Sequence, residues 1–149
     1  MSLKDCANLL LGFLNELRIH NPILFAKWFE RAGSKKKALN LPVIEDYEFV
    51  KALFCKRGLD SNFPEHSYRI GIWNGKEKEE EACSLEASLG SSESKFWTNN
   101  CGISLPYAGD QYDFYQNASN QEALIELLKR YWQPEWVQID GEKYGLPEK

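Results

Sequence analysis

Apolar positions recur every three or four residues at the start of the chain: Leu3, Cys6, Leu10, Phe13, Leu14 and Leu17 fall on one stripe. That period predicts an amphipathic helix over residues 3–18, capped by Ser2 and widened by Leu9 and Leu11. His20-Asn21-Pro22 interrupts it, and Pro22 is placed to open a second, short helix over residues 23–31. That segment is dense in aromatics (Phe25, Trp28, Phe29), and Gly33 follows as its stop. Ser34 can cap a solvated turn of Lys35, Lys36 and Lys37. After the extended stretch around Pro42, Asp46 can cap a helix over residues 46–56 that presents Tyr47, Val50 and Phe54 on one face.

The period then switches from about 3.6 to 2. Tyr68, Ile70 and Ile72 alternate with Arg69, Gly71 and Trp73; Cys83, Leu85, Ala87 and Leu89 alternate with Ser84, Glu86 and Ser88; Cys101, Ile103 and Leu105 alternate with Gly102 and Ser104. Three half-buried strands in succession predict an antiparallel meander over residues 68–105. Asn74-Gly75 supplies the first turn signal, since both residue types tolerate positive φ, and the charged run 76–81 fills that connection. Residues 90–100, with Phe96-Trp97 at their centre, make the second connection. Residues 107–117 read as a third long loop, and Ser119 with Glu122 as the capping box of a last helix. Leu124, Leu127, Leu128 and Tyr131 are the apolar face of that helix, and Pro134 stops it. Residues 136–140 read as a final strand before a polar tail. The expected fold is therefore α+β: an antiparallel sheet of about four strands, made of the meander 68–105 and the C-terminal strand 136–140. An N-terminal helical region and a C-terminal helix pack on it.

At 149 residues the chain is expected to form a single domain over 1–149, burying roughly 70% of its unfolded surface. Its net charge of −4 and pI near 5.3 argue against a nucleic-acid binder that works through phosphate contacts. No apolar run is long enough for a membrane span, and the N-terminus lacks the pattern of a secretory signal, so a cytoplasmic location is expected. Asn117-Ala118-Ser119 fits a glycosylation acceptor, but without a secretory signal it reads as a helix cap. The four cysteines, Cys6, Cys55, Cys83 and Cys101, have no paired metal-ligand spacing and read as buried thiols; Cys83 and Cys101, on neighbouring strands, are the one pair in which a bridge is conceivable.

Chemistry is poorly supported. His20 and His66 lie at element boundaries with no partner motif, no metal-ligand spacing is present, and no glycine-rich phosphate loop occurs, so neither metal nor cofactor is expected. Glu77, Glu79, Glu80 and Glu81 occupy a turn in which nothing would desolvate them. The unusual feature is an aromatic content of 13%, with five tryptophans. Trp28, Trp132 and Trp136 read as core. Trp73 is on the opposite strand face from Ile70 and Ile72, and Phe96-Trp97 is in a loop; aromatics beside acidic loops are the composition of a protein–protein hot spot. For Trp73 the competing reading is a second covered sheet face.

Four stretches in order carry a family resemblance: Pro22-Ile23-Leu24-Phe25-Ala26-Lys27-Trp28-Phe29 with Gly33-Ser34-Lys35-Lys36-Lys37-Ala38-Leu39; Leu41-Pro42-Val43; Tyr68-Arg69-Ile70-Gly71-Ile72-Trp73-Asn74-Gly75; and Ala82-Cys83-Ser84-Leu85. Together they resemble the immunity protein 52 family of bacterial polymorphic-toxin systems. The resemblance implies a non-enzymatic protein that binds a cognate secreted toxin, often a nuclease, and blocks it. With the acidic surface it suggests a toxin-binding face built from Trp73, Glu77, Glu79, Glu80, Glu81, Phe96, Trp97, Asp110, Tyr112, Asp113 and Tyr115. Members of that family open with a strand ending in Trp-Gly before the first helix, whereas this sequence starts at the helix. Either that strand lies outside this sequence or the sheet is one strand short, with an exposed edge that is a pairing liability or a homodimerisation site. Two other classes remain open: a small enzyme with a site assembled from residues such as His66, Asp110 and Glu86, and a scaffold domain using the free edge.

Overall fold

The computed structural model describes residues 3–54, 68–89, 100–132, 136–139 and 142–145. The first helix, α1 (Leu3–His20), buries Cys6, Leu10, Phe13, Leu14 and Leu17 of the predicted stripe, and Ala7 beside them. Asn21 ends it, and the chain does not re-enter a helix. Phe25 N still donates to Asn21 O, but beyond that single turn the backbone extends into β1 (Phe29–Glu30). The expected helix over 23–31 is thus overturned. Leu24, Phe25 and Trp28 are buried at helix-like spacing, yet Val43 N donates to Trp28 O and Glu30 N to Leu41 O, and these long-range bonds need extended backbone.

Two short helices follow, α2 (Lys35–Ala38) and α3 (Tyr47–Leu53). Ser34 caps the first by accepting from Lys37 N, and Asp46 caps the second by accepting from Glu48 N and Phe49 N. Val50, Leu53 and Phe54 enter the core.

The meander forms as its alternation predicts: β2 (Tyr68–Trp73), β3 (Ser84–Leu89) and β4 (Asn100–Ser104), all antiparallel. Register places Ile70 opposite Ala87 and Ala87 opposite Cys101, and likewise Ile72, Leu85 and Ile103 in one row on the core face. The fourth strand is not the C-terminal one. β1 pairs with β2, Phe29 opposite Trp73 and Glu30 opposite Ile72, giving the sheet order β1-β2-β3-β4. The C-terminal strand β5 (Trp136–Ile139) instead pairs with β6 (Glu142–Gly145), so part of the expected polar tail is a strand, and the two form a separate hairpin.

β1 thus occupies the outer side of β2. Beyond β1, the segment at Pro42 bridges Phe29, and a proline there offers no N–H for further pairing. Among the described residues β4 is the other edge of the sheet. Cys6, Cys83 and Cys101 are free thiols. The Ala87–Cys101 register explains why no bridge forms on β3–β4: Cys83 lies four residues from Ala87, roughly 13 Å along an extended strand, far beyond disulfide reach.

Residues 109–114, expected as loop, form a short helix, α4 (Gly109–Phe114). The last helix is α5 (Ala118–Trp132). Its cap is Asn117, whose Oδ1 accepts from Ser119 N and Asn120 N, rather than Ser119 as the capping-box pattern suggested. Asn120 Nδ2 in turn donates to Phe114 O, satisfying a carbonyl at the end of α4. Leu124, Ile125, Leu127 and Trp132 of α5 are buried, and α1 packs against both α3 and α5. Phe13 sits between Tyr131 and Trp132, its ring 5.6 Å and 5.3 Å from theirs. α1, α3 and α5 thus share one core with Ile70, Ile72 and Leu85 on the inner face of the sheet, and the connections at its end carry the candidate site.

Candidate functional site

The connection between β2 and β3 runs over residues 74–83, from the Trp73–Ser84 pair outward. Asn74 has the residue type of a turn former, but its side chain, not its backbone φ, defines this loop. It is 3% exposed; its Nδ2 donates to Leu24 O (3.0 Å) and Glu81 O (2.9 Å), and its Oδ1 accepts from Lys76 N (3.3 Å) and Cys83 N (3.0 Å). Gly75 takes the positive φ, +81°. Glu81 N and Ala82 N both donate to Lys78 O, and Lys35 Nζ reaches Glu77 O at 3.4 Å.

Glu77, Glu79, Glu80 and Glu81 are all exposed. The loop rests on the start of α4: a Cβ built on Gly109 would lie 2.9 Å from Glu80 Cβ, and Gly109 has φ +87°. This contact brings two of the predicted groups together, because Asp110 and Asp113 are exposed on α4 and Tyr112 is half-buried there. Among the described residues none of these six carboxylates has an ion-pair partner, whereas Glu16, Glu45, Glu86 and Glu126 are paired with Arg130, Arg18, Arg31 and Lys129.

Tyr115 does not join that surface. It is 3% exposed, and its hydroxyl accepts from Asn21 Nδ2 (3.3 Å) and shares a 3.0 Å hydrogen bond with His20 Nε2. Asn21 Nδ2 also donates to Gln111 Oε1 at 2.8 Å, and Asn21 Oδ1 accepts from Leu24 N. Asn21 and Gln111 are both buried, so this cluster pins α4 to the end of α1. Burial raises the Tyr115 phenol well above its usual pKa and lowers that of His20. With Asn21 donating to the phenol oxygen, the phenol proton is available to a neutral imidazole, which gives His20 a hydrogen-bond partner at the end of α1.

Trp73 is neither core nor fully exposed. It lies half-buried on the outer sheet face, its ring 6.4 Å from that of Phe29, its partner in the ladder. Further along that face Arg31 pairs with Glu86, while Gly102 and Ser104 are exposed. Phe96, Trp97 and His66 lie outside the described residues. Of the residues named for an assembled enzyme site, Glu86 is thus engaged by Arg31 and Asp110 is exposed at the start of α4. Among the described residues no group of three or more His, Cys, Asp or Glu could hold a metal ion, and no helix is long and apolar enough to cross a membrane.

Sequence reasoning missed Asn74, Asn21 and Gln111 as organising residues. For Asn74 the sequence does hold a signal, an Asn between a strand and a charged loop, which points equally to backbone and to side-chain roles. Asn21 and Gln111 meet across 90 positions of chain, and no local pattern announces that pairing.

The family model described as Immunity protein 52 matches residues 1–145, nearly the whole chain. The chain belongs to the Immunity protein 52 family. A comparison with curated proteins finds no match. Family membership makes this an immunity protein and implies a toxin as its partner. The four stretches that carried the resemblance now have physical roles. Pro22–Phe29 supplies Leu24 O to Asn74 and β1 to the sheet, Leu41-Pro42-Val43 closes the β1 edge, and Asn74-Gly75 with Cys83 roots the acidic loop.

Proposed function

We propose that this protein binds a cognate bacterial toxin directly and blocks it, without catalysis, in the cytoplasm of the cell that makes the toxin. The contact face in this reading is the acidic loop 77–81 together with the exposed side of α4: Glu77, Glu79, Glu80, Glu81, Asp110, Tyr112 and Asp113. Trp73 lies on the outer sheet face beside the loop's root, and Phe96-Trp97 belong to the same proposal. Tyr115, being buried, acts by holding α4.

The observation that supports this face is the packing of Glu80 on Gly109. It joins two acidic segments, distant in sequence, into one surface whose carboxylates are exposed and free of ion pairs among the described residues. Lys76 and Lys78 in the loop, and Lys35 beside it, temper this charge but do not balance it. A toxin that cleaves nucleic acid must hold phosphates with basic groups, and a surface of opposite potential speeds encounter with such a site. A basic nuclease domain is accordingly the proposed partner class.

Co-expression tests the function. The C-terminal domain of a large secreted protein encoded beside this gene should arrest growth when expressed alone, and growth should return when this chain is expressed with it. Continued death with both proteins present at comparable levels would refute the proposal. Self-association through the β4 edge is the proposed assembly; a mass that stays monomeric at high micromolar concentration in sedimentation equilibrium would rule it out.

A further inference from the structure

We infer that Asn74 is a positioning residue: its buried side-chain amide holds the acidic loop in one shape against α4, so the face offered to a partner exists before the partner arrives. The geometry stands by itself, while the consequence for binding rests on the toxin-binding reading above.

A primary amide has two N–H donors and one oxygen with two lone pairs. In Asn74 all four are used, and they join separate pieces of chain. Oδ1 takes the amide of Lys76 on the outgoing arm and that of Cys83 on the returning arm, closing the root of the loop. Nδ2 holds Glu81 O, next to the Glu80 that rests on Gly109, and reaches out of the hairpin to Leu24 O. That last carbonyl belongs to the segment fastened by Asn21, whose other bonds hold Gln111 and Tyr115. Two buried asparagines therefore fix the two halves of the face, one the loop and one α4, and they meet at Leu24.

A connection needed only to reverse the chain would take about two residues. This one is much longer, charged and exposed, and each of its residues gives up backbone freedom when ordered. Left loose, it would surrender that entropy on binding and weaken the complex; held in advance, it does not. The Asn74 amide is the group placed to supply that order: beside it the loop has the Asn74 N–Cys83 O bond at its root, the Lys35 contact with Glu77 O, and two backbone bonds local to Lys78.

The substitution Asn74→Asp isolates the effect. It keeps both acceptors for Lys76 N and Cys83 N but turns the donor facing Leu24 O and Glu81 O into an acceptor. Lowering the pH protonates the new carboxyl and returns one donor. Amide hydrogen exchange of the free protein should show Lys76 and Cys83 protected in the wild type. In the variant at neutral pH they should exchange at least about tenfold faster, with Ile70, Ile72 and Leu85 still protected, and protection should return as the pH falls. Affinity for the toxin domain identified by co-expression should fall about tenfold at neutral pH and recover with the same pH dependence.

Loop amides that exchange freely in the wild type would overturn the inference, and that measurement stands even if the variant does not fold. Unchanged protection in a folded variant would also overturn it. A loosened loop with unchanged toxin affinity would overturn the link to binding and remove the loop from the contact face, while growth rescue would still stand as the separate test of immunity.

Discussion

The ring of Phe29 stands directly over Gly75: a Cβ built on Gly75 would lie 2.4 Å from Phe29 Cε1. With φ at +81°, position 75 is closed to side chains twice over, by backbone conformation and by the ring that also faces Trp73. Gly75→Ala should therefore destabilise the protein by about 2–5 kcal/mol, the sum of a left-handed backbone penalty and overpacking. Gly33→Ala, where a Cβ would meet nothing within 4 Å, is the matched control and should shift the urea midpoint little. Equal midpoints for the two variants would contradict the packing described.

Gly109 performs the second close approach, and its substitution separates the two halves of the proposed face. Gly109→Ala places a methyl group against Glu80 Cβ at φ +87°, so the loop must move off α4 or the start of the helix must yield. The expected cost is about 1–3 kcal/mol in urea unfolding. Exchange should quicken at α4 amides while the β2–β3 ladder stays protected. A variant as stable as the wild type would mean that loop and helix do not press on each other.

The structure explains why the meander was readable from the chain and β1 was not. Strand alternation fixes which side chains face inward, so Ile70, Ile72, Leu85 and Ala87 follow from local pattern alone. Leu24, Phe25 and Trp28 are spaced like a helix face, but Leu41 O and Val43 N, more than ten residues away, decide their backbone. Pairing partners at that separation leave no local trace. α4 was missed for a different reason: it is short, and its N-cap Ala108 makes no side-chain bond that a capping pattern could announce. The acidic residues of the candidate face were legible as charge, whereas their convergence depends on Glu80 meeting Gly109 and on two buried amides.

His20 gives the stability a pH dependence whose sign is fixed. Burial lowers its folded pKa below the ordinary 6.5, so the unfolded chain takes up the proton first. Stability from this group is complete above pH 6.5 and is lost as pH falls through 6.5 towards the lowered folded value. The urea midpoint should drop across that window, and His20→Gln should flatten the drop. Tyr115→Phe should cost about 1 kcal/mol at neutral pH by removing the shared hydroxyl. A wild-type midpoint that rises on acidification over the same window would contradict the assignment.

Association kinetics test the acidic loop as a toxin contact most directly. Charge reversal of Glu79, Glu80 and Glu81 to lysine changes exposed side chains only, and the fold should survive it. Stopped-flow mixing with the toxin domain, over a series of salt concentrations, should show wild-type association that slows as salt rises. The triple variant should associate at least about tenfold more slowly at low salt, with that salt dependence weakened or inverted. Association rates and salt dependence identical to those of the wild type would remove the acidic loop from the interface.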